Sequence, residues 1–177
     1  MKKFLFFIFF PYFLSAQVDT VNSNLWVTFQ PLIGTWEGTG EGRWGVSSVT
    51  REYEFVLSGA VLYGRNTSVY KPQEKNPKGE LHENWDLITY DRNRRKFILR
   101  QFDSEGIVNQ YVADSMAVGN SVLEFVTGFV ENFQSGWRAK ESYTFPNTDE
   151  FVETFSLAAP GKDFKVFVEN RFKRRKE

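Results

Sequence analysis

Pro31-Leu32-Ile33-Gly34-Thr35-Trp36-Glu37-Gly38-Thr39-Gly40-Glu41-Gly42 carries glycine at every second position from 34 to 42, except where Trp36 sits. Side chains of a strand alternate between its two faces, so the glycines and Trp36 share one face. A strand with bare backbone on one face bends sharply and lets other backbone come close. Such coiling is what a small barrel needs at its first corner.

Outward from this stretch the chain keeps reading as β structure. Alternating segments recur at short intervals between turn residues such as Ser58-Gly59, Asn76-Pro77-Lys78-Gly79, Asp91-Arg92-Asn93, Ser104-Glu105-Gly106, Gly119-Asn120, Pro146-Asn147 and Pro160-Gly161. That punctuation marks about ten strands and leaves no long 3.6-residue period. A two-sheet sandwich and a closed barrel both accommodate such a series. Closure alone removes exposed edges, and the glycine row favours it. The expected fold is all-β: a single antiparallel up-and-down barrel of about ten strands over residues 29–177. A short N-terminal plug turn, Leu25-Trp26-Val27, lies within a lead-in at 17–28.

Residues 1–16 read as a secretory signal: Lys2 and Lys3, an apolar run from Phe4 to Leu14, and Leu14-Ser15-Ala16 before Gln17. The run is shorter than the ~20 residues of a spanning helix, and Pro11 interrupts it, so no membrane span is expected after signal removal. The expectation is an exported protein, periplasmic or secreted, and a monomer or homodimer. Its 22 basic and 22 acidic residues give nucleic acid nothing to attract it. With no cysteine, packing alone must supply stability, and thiol chemistry, iron–sulfur clusters and zinc ribbons are excluded. The single histidine, His82, removes multi-histidine metal sites.

Gly34-Thr35-Trp36 after a short plug segment resembles the Gly-x-Trp signature of lipocalins and fatty-acid-binding proteins. In that family a basic residue of the last strand packs over the tryptophan. The resemblance implies Arg171 for that role, with Gly34 and Trp36 as its structural partners. The opening stretch, together with Leu81-His82-Glu83, is also similar to nitrobindin-like domains. Trp85-Asp86-Leu87-Ile88-Thr89-Tyr90-Asp91 and Ser135-Gly136-Trp137-Arg138-Ala139-Lys140-Glu141 are similar to exported bacterial lipocalin-like domains. The nitrobindin resemblance implies haem held by a histidine on the last strand. Residues 163–174 contain none, which disfavours haem.

Alternation also proposes a lining. Trp137, Ala139, Glu141, Tyr143 and Phe145 form one apolar face, and Phe151, Glu153, Phe155 and Leu157 a second. Phe164, Val166, Val168, Asn170 and Phe172 form a third, and Leu81, Glu83, Trp85 and Leu87 a fourth. Ile98, Arg100 and Phe102 place a guanidinium on a fifth. A buried carboxylate is costly unless paired, so Glu83, Glu141, Glu153 and Arg100 are expected to meet one another or a wet cavity. His82 shares a polar row with Glu80, Asn84 and Asp86 that reads as solvent-facing.

The expected function is binding of a small apolar or amphipathic molecule among aromatic side chains. Glu83, Trp85, Arg100, Trp137, Glu141, Tyr143, Glu153, Asn170 and His82 are its candidate contacts. Two alternatives stand beside it. One is a haem protein lacking the usual ligand. The other is an enzyme using a glutamate pair, Glu141 with Glu153, or Glu83 beside His82, as acid and base. The sequon at Asn66-Thr67-Ser68 falls inside a strand and is read as chance.

Overall fold

The computed structural model describes residues 25–117 and 122–176, without the side chains of 115–117. The signal reading at 1–16, most of the lead-in, the Gly119-Asn120 turn and the side chain of Met116 lie outside the described residues. A 3-10 helix, Val27–Leu32, precedes β1 (Gly34–Gly42), β2 (Gly45–Val56), β3 (Val61–Tyr70), β4 (Glu80–Asp91) and β5 (Lys96–Asp103). Then follow β6 (Val108–Ala117), β7 (Val122–Glu131), β8 (Arg138–Asn147), β9 (Glu150–Ala158) and β10 (Lys165–Arg174). Each strand pairs antiparallel with the next, and β1 pairs with β10, so the ten strands close into an up-and-down barrel. The sheet therefore has no open edge of the kind that would invite aggregation.

The seam between β1 and β10 depends on the glycine row. A Cβ on Gly38 would run into the carbonyl of Arg171, which crosses it on β10, so bare backbone is what lets the two strands meet. Gly34 adopts φ of 118°, where an L side chain is strained, and an added Cβ would also press on the Arg174 guanidinium.

One barrel end is plugged. The 3-10 helix drives Phe29 and Leu32 into the interior behind Trp26, and all three are buried with Trp36, Leu99 and Phe125. Trp26, Phe29 and Phe97 meet edge-to-face at centroid distances of 4.7 to 5.7 Å. Full burial of each such side chain stabilises the fold by about 2 kcal/mol, which suits a chain that has no disulfide. Trp36 donates its indole N–H to the carbonyl of Leu32 at 2.7 Å, tying β1 to the plug.

The basic residue over Trp36 is Arg174, with its guanidinium carbon 4.1 Å from the ring centroid. Arg171, the residue implied by resemblance, is 70% exposed and pairs with Glu169 outside the barrel. Alternation explains the correction: Asn170, Phe172 and Arg174 occupy the inner row of β10, and register sets Arg174 opposite Trp36. Arg174 also donates to the carbonyls of Ile33 and Pro31 at 2.6 and 2.9 Å, clasping the plug segment to the last strand.

Candidate functional site

At the end opposite the plug the interior stays open as a cavity of about 300 Å³. Trp44, Phe133 and Trp137 stand at its mouth, and Phe155, Leu157, Phe167 and Val168 form apolar wall. Phe133 and Trp137 meet edge-to-face at 5.9 Å. The floor is polar: Arg51 from β2, Gln101 from β5, Glu141 from β8, Glu153 from β9 and Asn170 from β10 all line it and are buried.

Arg51 anchors the floor. Its Nη2 meets Glu153 Oε2 at 2.8 Å, with both side chains about 5% exposed, and its Nη1 donates to the carbonyls of Thr50 and Thr67. Burial opposes the charge on Arg51, but the Glu153 carboxylate outweighs it and keeps the guanidinium firmly protonated. Asn170 Nδ2 adds a 2.7 Å bond to the same glutamate oxygen. Beside this pair, Asp86 accepts from Asn66 at 2.7 Å and Gln101 at 3.1 Å, and Tyr111 donates its hydroxyl to Gln101 at 3.3 Å. Burial pushes the Asp86 carboxyl up to about 6, although the bonds from Asn66 and Gln101 oppose the shift. Asn66 is 2% exposed, so the sequon offers no accessible acceptor.

Glu141 differs from both. It is 4% exposed, lines the cavity, and its Oε2 has no hydrogen-bond partner among the described residues. Burial raises its carboxyl well above the ordinary range, and the negative charges of Glu153 and Asp86 raise it further against the opposing effects of Arg51 and a hydrogen bond from Gln101. Glu141 thus faces the cavity and holds its proton to higher pH than an exposed glutamate, while Glu153 is bound into a salt bridge. The two carboxyls sit in environments that differ as an acid and a base require, yet Glu153 is already engaged by Arg51 and Asn170.

The structure assembles Glu141, Glu153, Asn170, Trp137 and His82 around this one cavity. Tyr143 lies deeper, against Phe125 and Phe151 in the aromatic core. Three candidates go elsewhere. Glu83 and Trp85 point outward from β4, where Trp85 is 57% exposed and packs on Tyr63, and Leu81 is 58% exposed. Arg100 lies on the outer face of β5 and donates to Thr89 across the sheet at 3.1 Å. The inward row of β4 is instead His82, Asn84 and Asp86, the row that sequence read as solvent-facing, and β5 turns Gln101 and Asp103 inward. The physical reason is that this side of the cavity is polar, so the apolar row belongs outside. A β-bulge between Val166 and Val168 likewise shifts the third predicted row: Val166 is 64% exposed and Phe167 lines the cavity in its place.

Sequence reasoning missed Arg51, Asp86 and Gln101. Arg51 was legible as a cation in phase with Val49 and Tyr53. At the rim, His82 Nδ1 meets Glu105 Oε1 at 2.8 Å, and Glu80 stands close enough for all three to offer ligand atoms within 4.8 Å of one another. The group is solvent-exposed, and the His82–Glu105 bond satisfies that pair without an ion. Haem fits poorly: the inner row of β10 presents Val168, Asn170 and Phe172, none of them the ligand that the resemblance implies.

Fold and site together define a closed meander barrel, plugged at one end, with one polar-floored cavity open at the other. No family model and no curated protein matches the chain. Among solved structures, the crystal structure of Rv2717c from M. tuberculosis is similar in fold. It has a TM-score of 0.65 and 15% identity, over 86% of this chain and 98% of that one. A redesigned beta barrel aligns with a TM-score of 0.43 at 11% identity, over 82% of this chain and 93% of its own.

Proposed function

We propose that the protein is an exported, lipocalin-like binding barrel that holds one small apolar or amphipathic molecule. The observation that carries this reading is the cavity itself. Its volume of about 300 Å³ stands at the lower end of small-molecule sites, its wall and mouth are aromatic, and a few convergent polar groups form its floor. A barrel that merely filled itself would continue the packing of Phe29, Phe97 and Phe125 to the second end. Export rests on the reading of residues 1–16 as a signal, and the lipocalin-like assignment on Gly34-Thr35-Trp36 together with a basic clasp, here Arg174.

The test is to express the full chain with its leader in a bacterium, recover it gently, and compare native and denatured masses. A polypeptide beginning at Gln17 together with extra mass lost on denaturation is the expected result. A polypeptide retaining residues 1–16 overturns export. Equal native and denatured masses, repeated after incubation with mixed small apolar compounds, overturn the binding role.

A further inference from the structure

The chemistry of the cavity specifies more than size. Its lining carries five carboxylates, Glu80, Asp103, Glu105, Glu141 and Glu153, against the two guanidiniums of Arg51 and Arg138. Arg51 is taken up by Glu153 and by backbone carbonyls, and Arg138 donates to the carbonyl of Lys162 while its guanidinium stacks on Phe164. Arg51, the cation of the floor, is thus committed, while Arg138 is solvent-exposed and donates to a carbonyl. The partnerless buried polar atoms of cavity-lining residues are acceptors: Glu141 Oε2, Asn84 Oδ1 and Asn170 Oδ1. Asn170 is fixed in this orientation because its Nδ2 is needed by Glu153. An acidic lining with spare buried acceptors calls for a molecule that brings donors and positive charge.

Building on the binding role proposed above, we infer that the barrel takes a primary amine with an aromatic or short apolar tail, its ammonium group on Glu141 and its tail between Phe155, Phe167 and Trp137. An ammonium supplies three N–H donors and no acceptor, the complement of this floor. The aromatic wall and mouth suit the apolar tail of the same class. A carboxylate head, by contrast, would be buried beside Glu141 and Glu153, where Arg51 is already paired.

Proton balance follows from the site. Arg51 and Tyr53 on β2, Asp86 on β4, Tyr111 on β6, Tyr143 on β8 and Glu153 on β9 are the charged and titratable groups facing Glu141, and burial together with the charges of Glu153 and Asp86 raises its carboxyl against the opposing effects of Arg51 and a bond from Gln101. When an ammonium group arrives, Glu141 gives its proton to solvent and becomes the counter-ion. Binding therefore releases a proton and strengthens as pH rises, until the amine itself loses its charge.

The test uses calorimetry on the exported chain with three probes of matched shape: 2-phenylethylamine, 2-phenylethanol and 3-phenylpropanoate. The amine is expected to bind at least tenfold more tightly than the other two, with heat that varies with the ionisation enthalpy of the buffer. Glu141→Gln is expected to bring the amine within threefold of the alcohol. Glutamine keeps the shape of the glutamate side chain, so an undiminished melting temperature shows that the variant folds. Tightest binding by the carboxylate, equal binding by all three, or an amine preference that survives in Glu141→Gln overturns the inference. Failure of all three probes beside a retained native mass overturns the amine assignment alone. Failure of all three with no retained mass removes the binding role as well.

Discussion

At the scale of single residues the floor is a set of charges brought out of water under different terms. Arg51 and Glu153 compensate each other, with Asn170 and two carbonyls taking up remaining bonding capacity. Such a pair is costly to break and cheap to replace, because removing one partner leaves an uncompensated buried charge. Arg51→Met is expected to lower unfolding free energy by about 3 to 5 kcal/mol, read from urea denaturation at pH 7. The double variant Arg51→Met, Glu153→Leu is expected to recover most of the loss. If the double variant is as unstable as the single one, the pair contributes through packing shape and not through charge compensation.

At the scale of elements, the closing seam makes the sharpest contrast. Arg174 combines a cation over Trp36 with donated bonds to Ile33 and Pro31, whereas Arg171 stands three residues earlier in the same strand and faces solvent. Arg174→Ala is expected to destabilise by about 2 kcal/mol and Arg171→Ala by less than about 0.5 kcal/mol, compared by thermal melts. Equal effects would show that the clasp does not hold the plug to β10. This contrast also marks what the sequence revealed. The glycine row and regular turns gave strand number and closure because backbone geometry and turn chemistry are local. Strand faces were legible where one row is aromatic, as in β8 and β9. They were misread in β4 and β5, where both rows are mixed and the cavity draws in His82, Asn84, Asp86 and Gln101 while Leu81 and Trp85 face outward. Period-2 patterning gives the phase of a strand but not its sign when the interior is polar. In β10 the sign was right, yet the clasp was assigned out of phase: Arg174 shares a row with Asn170 and Phe172, and Arg171 does not. The bulge near Val166 has no sequence mark comparable to a glycine or proline and became visible only through register.

At the scale of the whole molecule, one end of the barrel is built for stability and the other tolerates its loss. The plugged half packs aromatic side chains around Phe29 and Trp36, while the open half buries the carboxyls of Asp86 and Glu141, whose ionisation burial disfavours. The sign of the pH dependence follows. A carboxyl with a raised folded-state pKa keeps a proton that the unfolded chain has already released, so its contribution to stability is fully present below the unfolded value and fades as pH rises. For Asp86 the window runs from the ordinary 3.8 to about 6, a loss on the order of 3 kcal/mol. For Glu141 the window starts near 4.5 and runs upward from there. Surface carboxylates add their own slopes to the total, but a difference between parent and variant isolates one group. Glu141→Gln is therefore expected to match the parent near pH 4 and to become progressively more stable than it as pH rises above 4.5, read from urea midpoints. A gap that stays constant with pH would mean that Glu141 ionises as readily in the barrel as in the open chain. The same substitution is expected to abolish preference for an amine, so stability and binding should move in opposite directions on one side chain. That opposition is what a functional carboxylate predicts, because a purely structural glutamate at this position would be replaced by glutamine with nothing lost.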